Sequence, residues 1–323
     1  MDSGKRPRHH AAVIPAEFPA VAAIGRRFFL GSNLTMAIDE AFLLARPPVE
    51  RRRTYDARDT MLYALGLGVG AADPCDPAAL RFVYEKDLAA LPTMAVVLAS
   101  PSGWLADPAL GIDYMQLLHG EESLTLHRPL APAGELVSAT RIEALFDKGA
   151  GRGALLYTRR EISDAANGEA VATIRTGYFL RGDGGFGSKS AGAPDPHPVP
   201  GRAPDATIDY ATRIDQALLY RLSGDYNPLH IDPTVAAKAG FDRPILHGLC
   251  SYGLAGRAMV ELLCEGDPAR LRRLDVRFAK PVFPGETLRI SVWREGRGRA
   301  AFEATSLDRD LVVLRNGLAE VRA

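Results

Sequence analysis

The chain has 323 residues, 47% hydrophobic and 24% charged, a length that suits about two domains and a balance that suits an ordinary globular fold. Lys plus Arg and Asp plus Glu both number 39, so no global basic excess argues for nucleic acid, and an anionic ligand must be met by local charge. No apolar run approaches the roughly 18 residues of a membrane span. The three cysteines, Cys75, Cys250 and Cys264, show no metal-ligand spacing and read as reduced thiols of a cytoplasmic protein.

At the N-terminus, Gly25-Arg26-Arg27-Phe28-Phe29-Leu30 looks like a twin-arginine export signal. The required apolar stretch is missing, since Gly31-Ser32-Asn33-Leu34-Thr35 follows. Residues 1–35 therefore read as a disordered leader, with folding expected to begin near Met36. The chain ends Glu320-Val321-Arg322-Ala323, which is not a peroxisomal tripeptide.

A short helix is expected over 57–66. Strands with period-two alternation follow at 134–142, 153–162 and 169–180, the last two joined through Asn167-Gly168 as a hairpin. Residues 188–205 are too rich in proline and glycine for a helix or a central strand and read as a linker. The second half repeats the order: a short helix over 213–222, then strands at 287–293, 300–306 and 311–321, with Asn316-Gly317 taken as another hairpin turn. Between them, His247-Gly248 opens a helix whose residues Leu249–Leu263 are apolar around most of the circumference, the mark of a buried helix.

The halves also match residue by residue. Leu124-Thr-Leu-His-Arg-Pro129-Leu130 then Gly134-Glu135 parallels Val276-Arg-Phe-Ala-Lys-Pro281-Val282 then Gly285-Glu286, an offset of 152 between the prolines (281 − 129). Asp59-Thr-Met-Leu62 with Gly68 parallels Asp215-Gln-Ala-Leu218 with Gly224, an offset of 156 (215 − 59). Two such matches argue for two copies of one α+β unit, an antiparallel sheet wrapped around a central helix: copy one over 36–187, copy two over 206–323.

Chemistry concentrates between Tyr220 and His230. Asp225 and His230 flank Tyr226-Asn227-Pro228-Leu229, and Pro228 favours extended geometry at Asn227. Asp232-Pro233 reads as a helix cap and first residue, and Gly240 as that helix's end. A carboxylate and an imidazole on a loop held at both ends suit adding water across a double bond conjugated to a thioester, in which one proton leaves water and one reaches the α-carbon. The main-chain N–H of Gly248, at a helix N-terminus, suits the negative charge that develops on the thioester oxygen.

The string Tyr220-x-Leu222-Ser-Gly-Asp-x-Asn-Pro-Leu-His230, continuing to Ala236, resembles the hydratase 2 motif of the MaoC-like dehydratase family, as does Phe241-x-x-Pro244-Ile-Leu-His-Gly248. In the first half, Phe82-Val-Tyr-Glu85, Leu91-Pro-Thr-Met-Ala-Val96, Leu118-His-Gly-Glu121, Asp147-Lys-Gly149 and Gly184-Gly-Phe-Gly187 resemble the double-hotdog hydratase 2 proteins. The resemblance implies a double hotdog whose first copy has lost most of its central helix to an acyl tunnel. The Pro- and Gly-rich stretch 99–111 agrees with that.

The resemblance also implies an activity: reversible hydration of trans-2-enoyl-CoA to (3R)-3-hydroxyacyl-CoA. Asp225 and His230 would be catalytic, with Asn227 orienting them and Gly248 as the oxyanion donor. His119, Gly120, Lys148 and Phe278 would contact the coenzyme A thioester, and Glu85 would support the site from the first copy. No metal or other cofactor is called for, coenzyme A being part of the substrate. A homodimer is expected by family analogy.

Taken singly, several of these residues have plainer readings. Lys148 could be a turn lysine, Phe278 core, Glu85 a surface residue. His247 reads as a capping or packing residue, and His127 as a surface one. Gly184-Gly-Phe-Gly187 lacks the strand–loop–helix context of a dinucleotide loop. Two other functions fit the fold: dehydration of thioesters on an acyl carrier protein, and a non-catalytic acyl-CoA-binding subunit, although a binding protein has no need of both Asp225 and His230.

Overall fold

A computed structural model describes residues 38–187 and 192–322; the expectations for residues 1–35 and for the first part of the linker lie outside them. The first copy runs α1 (Glu40–Ala45), β1 (Val49–Tyr55), α2 (Ala57–Gly66), α3 (Pro77–Val83), β2 (Leu117–Leu126), β3 (Gly134–Asp147), β4 (Ala154–Asp164) and β5 (Ala170–Leu180). The second runs β6 (Ala206–Ala211), α4 (Gln216–Tyr220), α5 (Pro233–Lys238), α6 (Gly248–Leu263), β7 (Leu271–Phe278), β8 (Thr287–Gly296), β9 (Arg299–Ser306) and β10 (Leu311–Val321). All ten strands join one antiparallel sheet in the order β1-β3-β4-β5-β2-β7-β10-β9-β8-β6. Read from either edge inward, the order is the same in both halves, so the fold is a double hotdog.

The expected offset is visible in the register. Where β2 meets β7, Ser123 faces Asp275, and the Ser123 hydroxyl donates to the Asp275 carboxylate at 2.6 Å. These residues are 152 apart, so equivalent positions meet on the pseudo-twofold axis. Glu121 facing Arg277 and Thr125 facing Arg273 are then one pairing seen from its two ends. The second sequence match holds for helices but not for residues. Asp59 lies inside α2 and accepts from the N–H of the cap residue Asp56, whereas Asp215 is itself the cap of α4.

The Asn167-Gly168 turn joins β4 to β5 as expected, but Asn316-Gly317 does not join two strands. Asn316 lies inside β10 at φ 56°, where the pairing with β9 shifts register, and its amide donates to the His197 carbonyl at 2.8 Å. An Asn-Gly pair supplies left-handed backbone to a bulge as readily as to a turn. The true β9–β10 turn ends at Asp310, φ 50°.

Helix α6 is buried along most of its length, including Tyr252, Leu254, Ala255, Ala258, Met259 and Val260. The equivalent stretch of the first copy has only short 3-10 turns at Pro92–Val96, Trp104–Ala106, Pro108–Leu110 and Tyr114–Gln116, as its composition implied. Irregular backbone buried against a sheet leaves carbonyls without helical partners. The sheet supplies donors: the Ser138 hydroxyl to the Ala99 carbonyl at 2.7 Å and the buried Arg160 guanidinium to the Val96 carbonyl. Ser138, Thr140, Thr158, Arg160, Thr176 and Glu122 are all buried on the inner face of β2–β5. This polar belt lies between two separate apolar clusters.

The two copies meet closely at α6. A Cβ on Gly256 would lie 2.4 Å from Thr93 Cγ2 in the first copy. Replacing Gly256 by Ala is therefore expected to destabilise the fold by about 1–3 kcal/mol through overpacking, measured as a lower urea midpoint with an unchanged m-value.

Candidate active site

Gly224, at φ 124°, bends the chain out of α4 and its 3-10 extension into the Asp225–His230 loop. The Asn227 side chain caps the next turn, Pro228–His230, by accepting from the Leu229 N–H at 3.0 Å, while the Asn227 N–H donates to Asp225 Oδ1 at 3.2 Å. Asp232 caps α5 and Gly240, at φ 86°, follows its end. The loop is thus held at both ends as its sequence implied, and Asn227 steadies Asp225 through main chain.

His230 is 8% exposed, and its Nδ1 lies 2.9 Å from the Ile245 carbonyl. A ring nitrogen facing a carbonyl must carry the proton, which leaves Nε2 with its lone pair. Burial pushes the His230 imidazole below its ordinary value, opposed by the Asp225 carboxylate and the Ile245 carbonyl. Near neutral pH this ring is a free base.

His247 belongs to the site, although its sequence position suggested only capping or packing. It makes no side-chain cap to α6. Its fully buried ring stacks on His230, with centroids 3.8 Å apart and planes at 29°, and its Nε2 lies 3.1 Å from the Asp225 main-chain carbonyl. Burial, with His230 beside it, pushes its imidazole down to about 3. Ligand-capable atoms of Asp225, His230 and His247 lie within 4.8 Å of one another.

Gly248 is the first residue of α6, and a Cβ there would lie 3.2 Å from the Phe278 ring. Phe278 stands edge-on to His119 at 4.8 Å, bringing a first-copy imidazole beside the start of α6. His119-Gly120 sits on a bulge in the pairing of β2 with β5. Glu122 holds the His119 ring through a 2.9 Å contact to Nε2 and is only 2% exposed. Glu122 was not foreseen from the sequence, although an acidic residue at an inward position of an alternating strand was the available signal. Tyr114 of the first copy is half-exposed, and burial together with the Asp225 charge pushes its phenol up. A cleft of about 210 Å³ lined by Ile214, Ala217, Leu218, Ile231 and Pro244 reaches His230 from the second copy.

Two expected residues lie apart from this group. Lys148 is exposed on the β3–β4 hairpin, with Nζ 5.1 Å from the Phe179 ring centre. Glu85 is exposed on the bend after α3, with no hydrogen bond or ion pair to the loop among the described residues. The N–H groups of Gly185 and Gly187 bind the Asp147 carboxylate at 2.8 and 2.7 Å, so the glycine-rich segment clasps a side chain of its own protein.

A double hotdog carrying one Asp–His loop defines a class, and comparison with known proteins defines it further. Residues 196–314 match the MaoC like domain, and residues 54–182 match the MFE-2 hydratase 2 N-terminal domain. The chain is 44% identical over 272 residues to 3-hydroxyacyl-thioester dehydratase Y of Mycobacterium tuberculosis, covering 81% of this chain and 91% of that protein. It is 39% identical over 295 residues to the peroxisomal enoyl-CoA hydratase 2 of Arabidopsis thaliana, covering 87% and 94%. The crystal structure of a MaoC-like dehydratase from Phytophthora capsici superposes with a TM-score of 0.77 at 38% identity, covering 87% of this chain and 97% of that one. This chain belongs to the MaoC-like dehydratase family, in its double-hotdog hydratase 2 branch.

The two buried imidazoles make stability depend on pH. A histidine whose folded pKa lies below its unfolded value of about 6.5 binds fewer protons folded than unfolded, so stability is full above that value and is lost as pH falls. For His247 the window runs from there down to about 3. The urea midpoint should fall steadily between pH 7 and pH 4, and fall less in His247→Phe.

Proposed function

We propose that this protein catalyses reversible hydration of trans-2-enoyl-CoA to (3R)-3-hydroxyacyl-CoA. The observation that carries the reading is His230 with Nδ1 committed to the Ile245 carbonyl and Nε2 free, clustered with Asp225 near the start of α6. In this reading Asp225 and His230 hold one water. Its oxygen adds to C3 of the enoyl group as His230 Nε2 takes the proton it sheds; that proton passes to the Asp225 carboxylate and on to C2, so both residues return to their starting states. The Gly248 N–H and the N-terminus of α6 stabilise the enolate oxygen.

His119, Gly120 and Phe278 would line the thioester, and Lys148 would reach the coenzyme A moiety from its hairpin. Glu85 would serve from the rim. Hydration moves no electrons, so the reaction asks for no redox cofactor. The names of the hydratase and thioester dehydratase relatives support a hydro-lyase acting on acyl thioesters.

The test uses crotonyl-CoA and a longer trans-2-enoyl-CoA, following loss of conjugated absorbance and then product configuration. Asp225→Asn and His230→Gln should each lower kcat by about 10²–10⁴-fold. Unchanged rates or an (S) product would overturn the mechanism. Turnover only on acyl-carrier-protein thioesters would change the substrate class.

We also place the enzyme in the cytoplasm, on the strength of Cys75, Cys250 and Cys264 being unpaired, and propose a homodimer. Its expected signature is a sedimenting mass twice that of the 34.8 kDa chain. The exposed run Arg51, Arg52 and Arg53 on edge strand β1 argues against pairing through that edge.

A further inference from the structure

We propose that His247 is a positioning residue for the hydration step, its ring fixing the placement of both His230 and Asp225. The inference rests on the roles assigned to those two residues above. One face of the His247 ring carries the His230 imidazole at 3.8 Å, and its Nε2–H donates to the Asp225 main-chain carbonyl at 3.1 Å. Asp225 and His230 are five residues apart on a loop, and this single side chain touches the ring of one and the main chain of the other.

The support is rigid because of where it is mounted. The His247 carbonyl accepts from the N–H groups of Cys250 at 3.0 Å and Ser251 at 3.3 Å, which ties the residue into the first turn of α6. The next residue is Gly248. His247 therefore links three parts of the proposed machinery, namely the imidazole, the carboxylate-bearing loop and the start of the helix that stabilises negative charge.

The protonation state fits that role. His230 and Asp225 face His247 from the loop, and Arg221 and Tyr220 face it from the end of α4, with the Tyr220 ring centre at 5.1 Å. Nδ1 of His247 is buried without a hydrogen-bond partner among the described residues, and burial opposes a second proton there. A neutral ring lets His230 gain a proton during turnover without like-charge repulsion, and its stacked face is well placed to support that charge.

A simple packing role predicts that any ring of similar size would serve. His247→Phe keeps the ring and loses the donor. His247→Gln keeps a donor and loses the stack. With crotonyl-CoA, His247→Phe is expected to lose about 10- to 100-fold in kcat, the scale of a small misplacement of reacting groups, with KM changed by less than about threefold. His247→Gln admits water beside His230, so the acidic limb of its kcat/KM profile should move up toward the ordinary imidazole value near 6.5. Wild-type kcat in His247→Phe, or an unmoved limb in folded His247→Gln, would overturn the proposal.

If either variant fails to fold, nitrogen-15 spectra of histidine in the wild-type protein decide instead. A neutral His247 protonated on Nε2 at pH 5.5 is expected, and an imidazolium there would overturn the role. Full activity in Asp225→Asn is a separate outcome, which removes the hydratase mechanism itself.

Discussion

The pairing of β2 with β7 is the contact on which the rest of the arrangement depends. It converts two five-stranded sheets into one of ten strands. It also sets His119, on β2, against Phe278, on β7, and Phe278 against the start of α6. The pseudo-twofold axis runs through Ser123 and Asp275, and the ion pair between Glu121 and Arg277 at 2.7 Å secures the join on one side. A slip of one residue here would turn every side chain of β2 to the opposite face. Glu122 would then point outward and His119 would lose its buried partner.

Duplication frees one copy to change. With α6 filling the second copy, the first can give up its central helix provided its buried backbone finds other partners. Ser138 and Arg160 meet that condition by donating to Ala99 and Val96. An inward arginine in a sheet is costly unless it is hydrogen-bonded and near a counter-charge; Glu122 supplies the charge and the Val96 carbonyl a bond. The polar belt is thus a consequence of the lost helix. It leaves an interior split between two apolar clusters in place of one continuous core.

What could be read from the sequence follows the same physics. Strands β3 and β8 alternate because one face is buried, and α6 announces itself by apolar residues all round. The edge strands β1 and β6 were not legible: Val-Glu-Arg-Arg-Arg-Thr-Tyr and Ala-Thr-Ile-Asp-Tyr-Ala carry edge charges that mask alternation. Asn316-Gly317 misled because a bulge and a turn need the same left-handed backbone. The Asp225–His230 loop was legible from Pro228 and from the flanking Asp232 and Gly240. Its buried partner was not, since His247 stacks on His230 from 17 positions further along the chain (247 − 230). Spacing in sequence carries no trace of such contacts.

The stack of His247 on His230 also bears on why, in the proposed mechanism, one copy carries the Asp–His loop. A buried imidazole that must accept a proton needs a fixed tautomer, a nearby carboxylate and a neighbour that stays uncharged. The Ile245 carbonyl, Asp225 and His247 supply these in turn. All three come from the segment between α4 and the first turn of α6. The first copy has no long helix at the equivalent place and so has nothing rigid on which to mount a second ring. The loss of that helix from the first copy removed the support that a second stacked pair would require.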